Sequence, residues 1–294
     1  EGVLISPVKL YAGGVLQPEV VSLLASVDKS SDQKSIPGDF LAQISANQTG
    51  IRRMKEWLSS QRYPDDYIIR GITELNEYGK TLALKSLSKL AIGSASFIDY
   101  MDGDGCGGRS IAIKLDLSIT ESHILLDFSG TSKEVVGNLN CPVSVCAAAV
   151  YYVFASLLPE YVPRCYGVFE SIKMDVPLGC FLNATPGAAV SAGNVETSMR
   201  IVDVVLGALF KLGVNVPAAS QGTMNNIAMG GCSSGKRWDY YETIAGGGGA
   251  GSIWPGLSAS QCHMTNTLNT PIESLELHYP IRIKEYAIRS GSGG

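Results

Sequence analysis

No Cys-x-x-Cys pair occurs among the seven cysteines, which stand at 106, 141, 146, 165, 180, 232 and 262. An odd count at irregular spacing argues against a disulfide framework and predicts a reducing, cytoplasmic setting. Most of these cysteines adjoin apolar residues, so small buried hydrophobes are the default reading. Cys262 adjoins His263, but neighbours along a strand point to opposite faces, which counts against a thiol nucleophile served by that imidazole. Histidine is scarce too: His123, His263 and His278 are all there are. No HxH or HxxxH spacing exists, so the chain should hold no metal site of its own, with His263 the one residue that could add a ligand.

Further absences narrow the function. The run GGGGAG (246–251) lacks the Lys-Ser/Thr of a phosphate loop, and no GxGxxG follows a clear strand, so no ATP site is expected. Lys and Arg number 23 against 27 Asp and Glu, with no basic cluster interleaved with aromatics, which excludes a nucleic-acid surface. No signal peptide is read, and the chain opens with Glu1 rather than Met. The uncharged stretch Cys141–Leu158 is at the short limit for a membrane span, is bracketed by Pro142 and Pro159, and lacks flanking Lys or Arg. A buried core helix is predicted instead, capped by Asn140 with Pro142 in its first turn. DYMDGDGCGG (99–108) has Asp99, Asp102 and Asp104, but the spacing is wrong for an EF-hand and no Glu closes it, so it is read as a structural turn.

What remains is an apolar chain with a large supply of glycine. A length of 294 with 45% apolar residues fits one large or two ordinary domains and a sizeable core. The 33 glycines concentrate at 102–108, 222–251 and 289–294, as structured loops would require. Residues 1–15 read as an extended arm ending in a Gly-Gly turn. Residues 18–27, 38–60 and 67–93 carry helical patterns. From 94 the character changes. Residues 94–105 read as strand and turn, and 110–120 and 122–130 alternate as an antiparallel hairpin. The helix over 141–158, a strand-like 170–184, a long helix over 194–212 and a closing strand over 278–289 follow. The expectation is an α+β fold, with a helical section at 1–93 and an α+β core at 94–294.

Three polar blocks interrupt the apolar background: AGNVETSMRIVD (192–203), PAASQGTMNN (217–226) and HMTNTLNTPIE (263–273). Each lies beside a buried-looking segment, and together they are expected to wall one polar pocket. In the first block Asn194 suits a helix N-cap, and its Gly193–Asn194 start could hold an anion. Glu196, Arg200 and Asp203 share one helix face. They are read either as an internal ion network or as a wall of the active site. Thr197 belongs to the same turn. In the second block Gln221, Thr223, Asn225 and Asn226 offer donors and acceptors suited to an amide, imide or carboxylate, or else bond one another in Asx turns. In the third, His263 among Thr265, Asn266 and Asn269 is the best general base or ligand in the chain.

These blocks, with DFSGTS (127–132), GNLNCP (137–142), YYETIAGG (240–247) and the terminal RSGSGG, resemble the B-type subunit of the hydantoinase/oxoprolinase family. That family includes N-methylhydantoinase, 5-oxoprolinase and the acetone and acetophenone carboxylases. The resemblance implies a hetero-oligomer in which an A-type partner binds ATP and activates a lactam, imide or ketone enolate. The B-type subunit then completes ring opening or carboxylation. On this reading His263 and Glu196 are catalytic. Asn194, Thr197, Arg200, Gln221, Thr223, Asn225, Thr265 and Asn266 bind the small-molecule substrate. The first expectation is ATP-dependent hydrolysis of cyclic amides. ATP-dependent ketone carboxylation and a non-catalytic structural subunit are the alternatives. The family also implies a divalent metal (Zn, Mn or Fe) held by an upstream portion of the B-type subunit whose His- and Asp-rich motifs are not in this sequence. No nucleic-acid or membrane partner is expected.

Overall fold

The computed structural model describes residues 5–27 and 38–291. Residues 1–4 of the expected arm and 292–294 of the RSGSGG motif lie outside them. The chain divides into two compact units, Glu1–Glu74 and Leu75–Gly294.

In the first unit a two-residue turn joins β1 (Tyr11–Ala12) to antiparallel β2 (Val15–Leu16). Gly13 and Gly14 both have positive φ, +57° and +81°, as this hairpin class demands. Helix α1 (Pro18–Val27) starts at a proline whose missing N–H is no loss there. Val20 and Leu24 are buried among Ile5, Leu10, Leu16, Phe40 and Ile44. Helix α2 (Gly38–Ser60) buries none of its residues. Helix α3 (Asp65–Leu87) begins with two aspartates and has Lys85 in its last turn, both matched to the helix dipole. The division between the units falls inside α3, not after residue 93. The later turns of α3 place Ala83 in a cluster with Val162 and Val168.

The second unit is built on a four-stranded sheet in the order β3 (Gly93–Gly103), β4 (Arg109–Ile119), β5 (Ile124–Asp127), β6 (Ile172–Asp175). The first three strands are antiparallel neighbours, as the alternation of 110–120 and 122–130 requires, and β6 joins parallel to β5. One face of β4 presents Ile111, Ile113, Leu115, Leu117 and Ile119, all buried. Two helices share that core: α4 (Val143–Ser156) and α5 (Ser198–Lys211). Buried Cys146, Ala149, Val150, Val153 and Phe154 recur on α4 at helical spacing. The rest comprises the β7 (Asn226–Ser233) and β8 (Lys236–Thr243) hairpin, the short pair β9 (Gly247–Gly248) and β10 (Leu257–Ser258), and α6 (Ile272–His278). The α+β class holds, and the first third is helical. Among the described residues no helix is long and apolar enough to cross a membrane.

Four expectations are corrected. Asn140 does not cap α4, whose N-cap is Pro142. Asn140 is fully buried instead. Its amide donates to the carbonyls of Val135, Gly137 and Ala189 and accepts from the Val135 N–H, at 2.9–3.0 Å. Asn194 does not cap α5 either. A π-helical turn, Gly193–Thr197, precedes α5, and no side chain caps it. The strand-like 170–184 narrows to β6. The closing strand is absent: α6 covers its start, and 281–289 has no regular structure. The apolar–polar alternation there is real, but a strand needs a partner edge, and none pairs with it among the described residues.

Candidate functional site

The site grows from α5. Asp203 is on that helix, and its side chain is 3% exposed. Its carboxylate is fixed from the 217–226 loop: the Ser220 N–H donates to Oδ1 and the Ser220 hydroxyl to Oδ2, both at 3.1 Å. His263 Nε2 lies 3.6 Å from Asp203 Oδ1, with the imidazole 9% exposed. On the other side the Tyr152 hydroxyl of α4 is 3.4 Å from His263 Nδ1, and the two rings meet edge-on with centroids 5.8 Å apart. The tautomer with hydrogen on Nε2 turns its N–H toward Asp203 and lets Nδ1 accept from the phenol. At 3.6 Å the Asp203 contact is longer than a hydrogen bond, and Nε2 is a buried atom without a formal partner. Burial, first of all, raises the Tyr152 phenol above its ordinary range and keeps it protonated.

His263 is held by its neighbours. Its φ is +53°, a left-handed conformation that costs a non-glycine residue energy. The turn around it is closed by Thr265, whose hydroxyl donates to the Cys262 carbonyl at 2.6 Å and accepts from the Cys262 N–H at 2.9 Å. Buried Thr265 therefore shapes the loop. The Cys262 thiol donates to the Gly247 carbonyl at 3.2 Å, and burial raises it above the ordinary thiol range, which disfavours the thiolate.

Gln221 ties this centre to the glycine run. Its amide oxygen accepts from the Gly247 N–H and its amide nitrogen donates to the Thr223 carbonyl, both at 2.6 Å. Gly246 packs so closely here that a Cβ would overlap Gln221 Oε1 and crowd Asn225 Nδ2. Thr223 donates to Glu196 Oε1 at 2.8 Å, which links the first polar block to the second. Asn225 sits at φ +51° beside them. The three blocks are thus joined through Glu196–Thr223, Asp203–Ser220 and Asp203–His263.

Other expected members fall elsewhere. Asn194 and Asn266 are exposed, and neither side chain bonds to this group. Thr197 is buried with its hydroxyl on the Leu139 carbonyl. Glu196, Arg200 and Asp203 do not form one network. Arg200 pairs with Asp99 of β3 at 2.8 Å, while Glu196 takes Thr223 and Asp203 takes Ser220. The π-helical turn, with more residues per turn than an α-helix, takes Glu196 out of the spacing assumed for it, and Arg200 on α5 itself finds Asp99 of the neighbouring strand instead of Asp203. Sequence reasoning missed Ser220, Tyr152 and Asp99. Ser220 was visible within its polar block; Tyr152 is hidden inside an apolar run.

The acidic turn is structural. Asp104 Oδ1 accepts from the Cys106 and Gly108 N–H groups and Oδ2 from the Gly137 N–H, at 2.8–3.0 Å. No group of three or more His, Cys, Asp or Glu side chains among the described residues is placed to hold a metal ion. His263 and Asp203 bring two donors together, and a tetrahedral divalent site needs four ligands. These residues do not complete such a site.

The Hydantoinase B/oxoprolinase family profile matches residues 1–294. The chain is 37% identical to 5-oxoprolinase 1 of Arabidopsis thaliana over its whole length, which is 24% of that protein. Its fold is similar to an ATP-dependent caprolactamase from Pseudomonas jessenii, with a TM-score of 0.77 at 24% identity, covering 98% of this chain and 50% of that one. An acetone carboxylase is similar at a TM-score of 0.71 and 15% identity, over 95% of this chain and 39% of that one. The chain therefore spans about a quarter of its curated relative and half or less of these structures. By its sequence along the whole length, this chain belongs to the hydantoinase B/oxoprolinase family.

Proposed function

We propose that the chain supplies the ring-opening site of an ATP-dependent cyclic-amide hydrolase, working with an ATP-binding partner of the A type. The observation that carries this reading is half-buried His263 beside buried Asp203 at 3.6 Å, with Tyr152 on its far side. Through the Tyr152 hydroxyl, which donates to Nδ1, such an imidazole can take a proton from a water nucleophile and return one to a leaving nitrogen. Thr223, Gln221 and Asn225 lie in the adjoining loop, where amides and hydroxyls suit recognition of a carbonyl and an N–H, and Glu196 of the π-helical turn accepts from Thr223. No phosphate-loop motif is read in this sequence, and the relative named above is about four times longer, so ATP activation is assigned to the remaining sequence or a partner. The divalent metal expected of the family would likewise draw its ligands from sequence beyond this chain.

Ketone carboxylation is the second reading, supported by the fold shared with acetone carboxylase. One experiment separates the two. The assembled complex is assayed for ATP turnover with hydantoins, 5-oxoproline, caprolactam and simple ketones, with and without bicarbonate. Turnover on a cyclic amide that is independent of bicarbonate is expected. Bicarbonate-dependent turnover on ketones alone would replace the hydrolase reading with the carboxylase one.

A further inference from the structure

We propose that α2 and the first half of α3 form a self-complementary docking surface, on which a second copy of this chain pairs through the same two helices. Helix α2 is 23 residues long and buries none of them. A helix of that length in a protein is held mainly by a packed face, not by propensity. Its start has such a face, where Phe40 and Ile44 rest on the α1 cluster. Further along, Ile51, Met54 and Trp57 stand about half exposed.

This exposed half carries a socket. Gly50, Arg53, Met54 and Trp57 line one depression. Their spacing, i, i+3, i+4 and i+7, is that of the four-residue hole that receives one side chain of a facing helix. Gly50 keeps it deep, and a Cβ there would meet nothing within 4 Å. The first half of α3 offers a matching knob. Ile69 is 63% exposed, and Asp65 and Asp66 stand one turn before it on the same face. Within one chain, α2 and this half of α3 make no extended contact.

Charge selects the second copy. Past Ile51, α2 holds Arg52, Arg53 and Lys55 against Glu56, while residues 65–74 hold Asp65, Asp66 and Glu74 against Arg70. Arg52 leans toward Glu56 at 4.0 Å, which leaves Arg53 and Lys55 as the basic excess. Two α2 helices face to face would repel through that excess. Helix α2 against α3 of the second copy seats that copy's Ile69 in the socket and brings its Asp65 and Asp66 toward Arg53. The two-fold then repeats the contact, as an isologous interface requires. The surface fills above the dissociation constant of the pair, and the dilute chain keeps α2 open.

The test is analytical ultracentrifugation of the full-length polypeptide that carries this chain, over a concentration series. A monomer–dimer equilibrium is expected. Gly50→Leu fills the socket from its own helix and puts a better helix former in place of glycine. It should weaken the dimer by about 10-fold or more, while the melting temperature of the dilute monomer holds or rises. Arg53→Glu should weaken the dimer as well, and adding Asp66→Lys should restore it, because the reversed charges face each other again. A monomer at every concentration overturns the proposal and gives α2 to a different occupant. A dimer that ignores Gly50→Leu, or one that the second charge reversal fails to restore, overturns it too.

Discussion

Helices α2 and α5 carry apolar residues at similar spacing and end in opposite surroundings. On α2 nothing is buried, and Ile51, Met54 and Trp57 are about half exposed at 57%, 56% and 48%. On α5 ten of fourteen residues are buried, including Ser198 and Asp203. The periodicity that marks a face is present in both. What differs is the company: α5 shares one core with β4 and α4, whereas α2 gives only Phe40 and Ile44 to a small cluster. A hydrophobic pattern identifies a surface able to be buried, and the tertiary partner decides whether it is. The polar residues follow the same division. Asp203 is buried among apolar neighbours, with its carboxylate fixed by Ser220.

The sharpest contrast is in catalysis. Replacing His263 with Asn, which tolerates the left-handed backbone, should lower kcat about 10²–10⁴-fold in the assembled complex with little change in melting temperature. Met54→Ala on α2 should leave kcat unchanged. Retained activity in the His263 variant would remove the α5 side as the reaction site.

Stability should divide in the same way. Ile201 on α5 is fully buried. Ile201→Ala should cost about 2–5 kcal/mol in chemical denaturation, while Met54→Ala should stay within about 0.5 kcal/mol. Similar costs for the two would mean that α2 is covered as thoroughly as α5.

A smaller effect is expected at Arg200. A buried three-charge network would make Arg200→Ala cost about 3–5 kcal/mol. Its partner is instead Asp99, and the two side chains are 25% and 34% exposed. The loss should therefore be about 1 kcal/mol or less and should shrink in high salt. A multi-kcal/mol loss would reinstate the network.

The smallest effect is a pH dependence. Backbone N–H groups of Gly137, foremost, and of Cys106 hold the Asp104 carboxyl below the ordinary aspartate range. A lowered folded-state pKa contributes stability above the unfolded value, and that contribution is lost as pH falls through the folded one. Wild type should therefore exceed Asp104→Asn in melting temperature at neutral pH, and the gap should close in acid. A gap independent of pH would mean that charge plays no part in this turn.

Much of the fold was legible because local chemistry and global structure agree. Pro18 opens α1, Gly13–Gly14 turns the first hairpin, and the alternation on β4 matches its buried face. The closing strand was misread because alternation records a preference for extended backbone and says nothing of a neighbouring edge. The site was legible in its residue types and less so in its pairings. His263 stood out as a scarce imidazole among neutral polar groups. Its partners come from α5 and from the middle of α4, and no sequence spacing connects those places. The π-helical turn also shifts Glu196 in a way that a regular helical wheel cannot anticipate.

The left-handed backbone at His263 has an evolutionary consequence. Two separate filters act on that codon. The backbone filter admits glycine, asparagine, aspartate and histidine with least strain and disfavours β-branched residues. The general-base role proposed above would add a chemical filter that admits histidine. A saturation library at this position, sorted once for folding and once for activity, would return nested sets of survivors. The first would be small and would include asparagine. The second, drawn from within the first, would hold histidine.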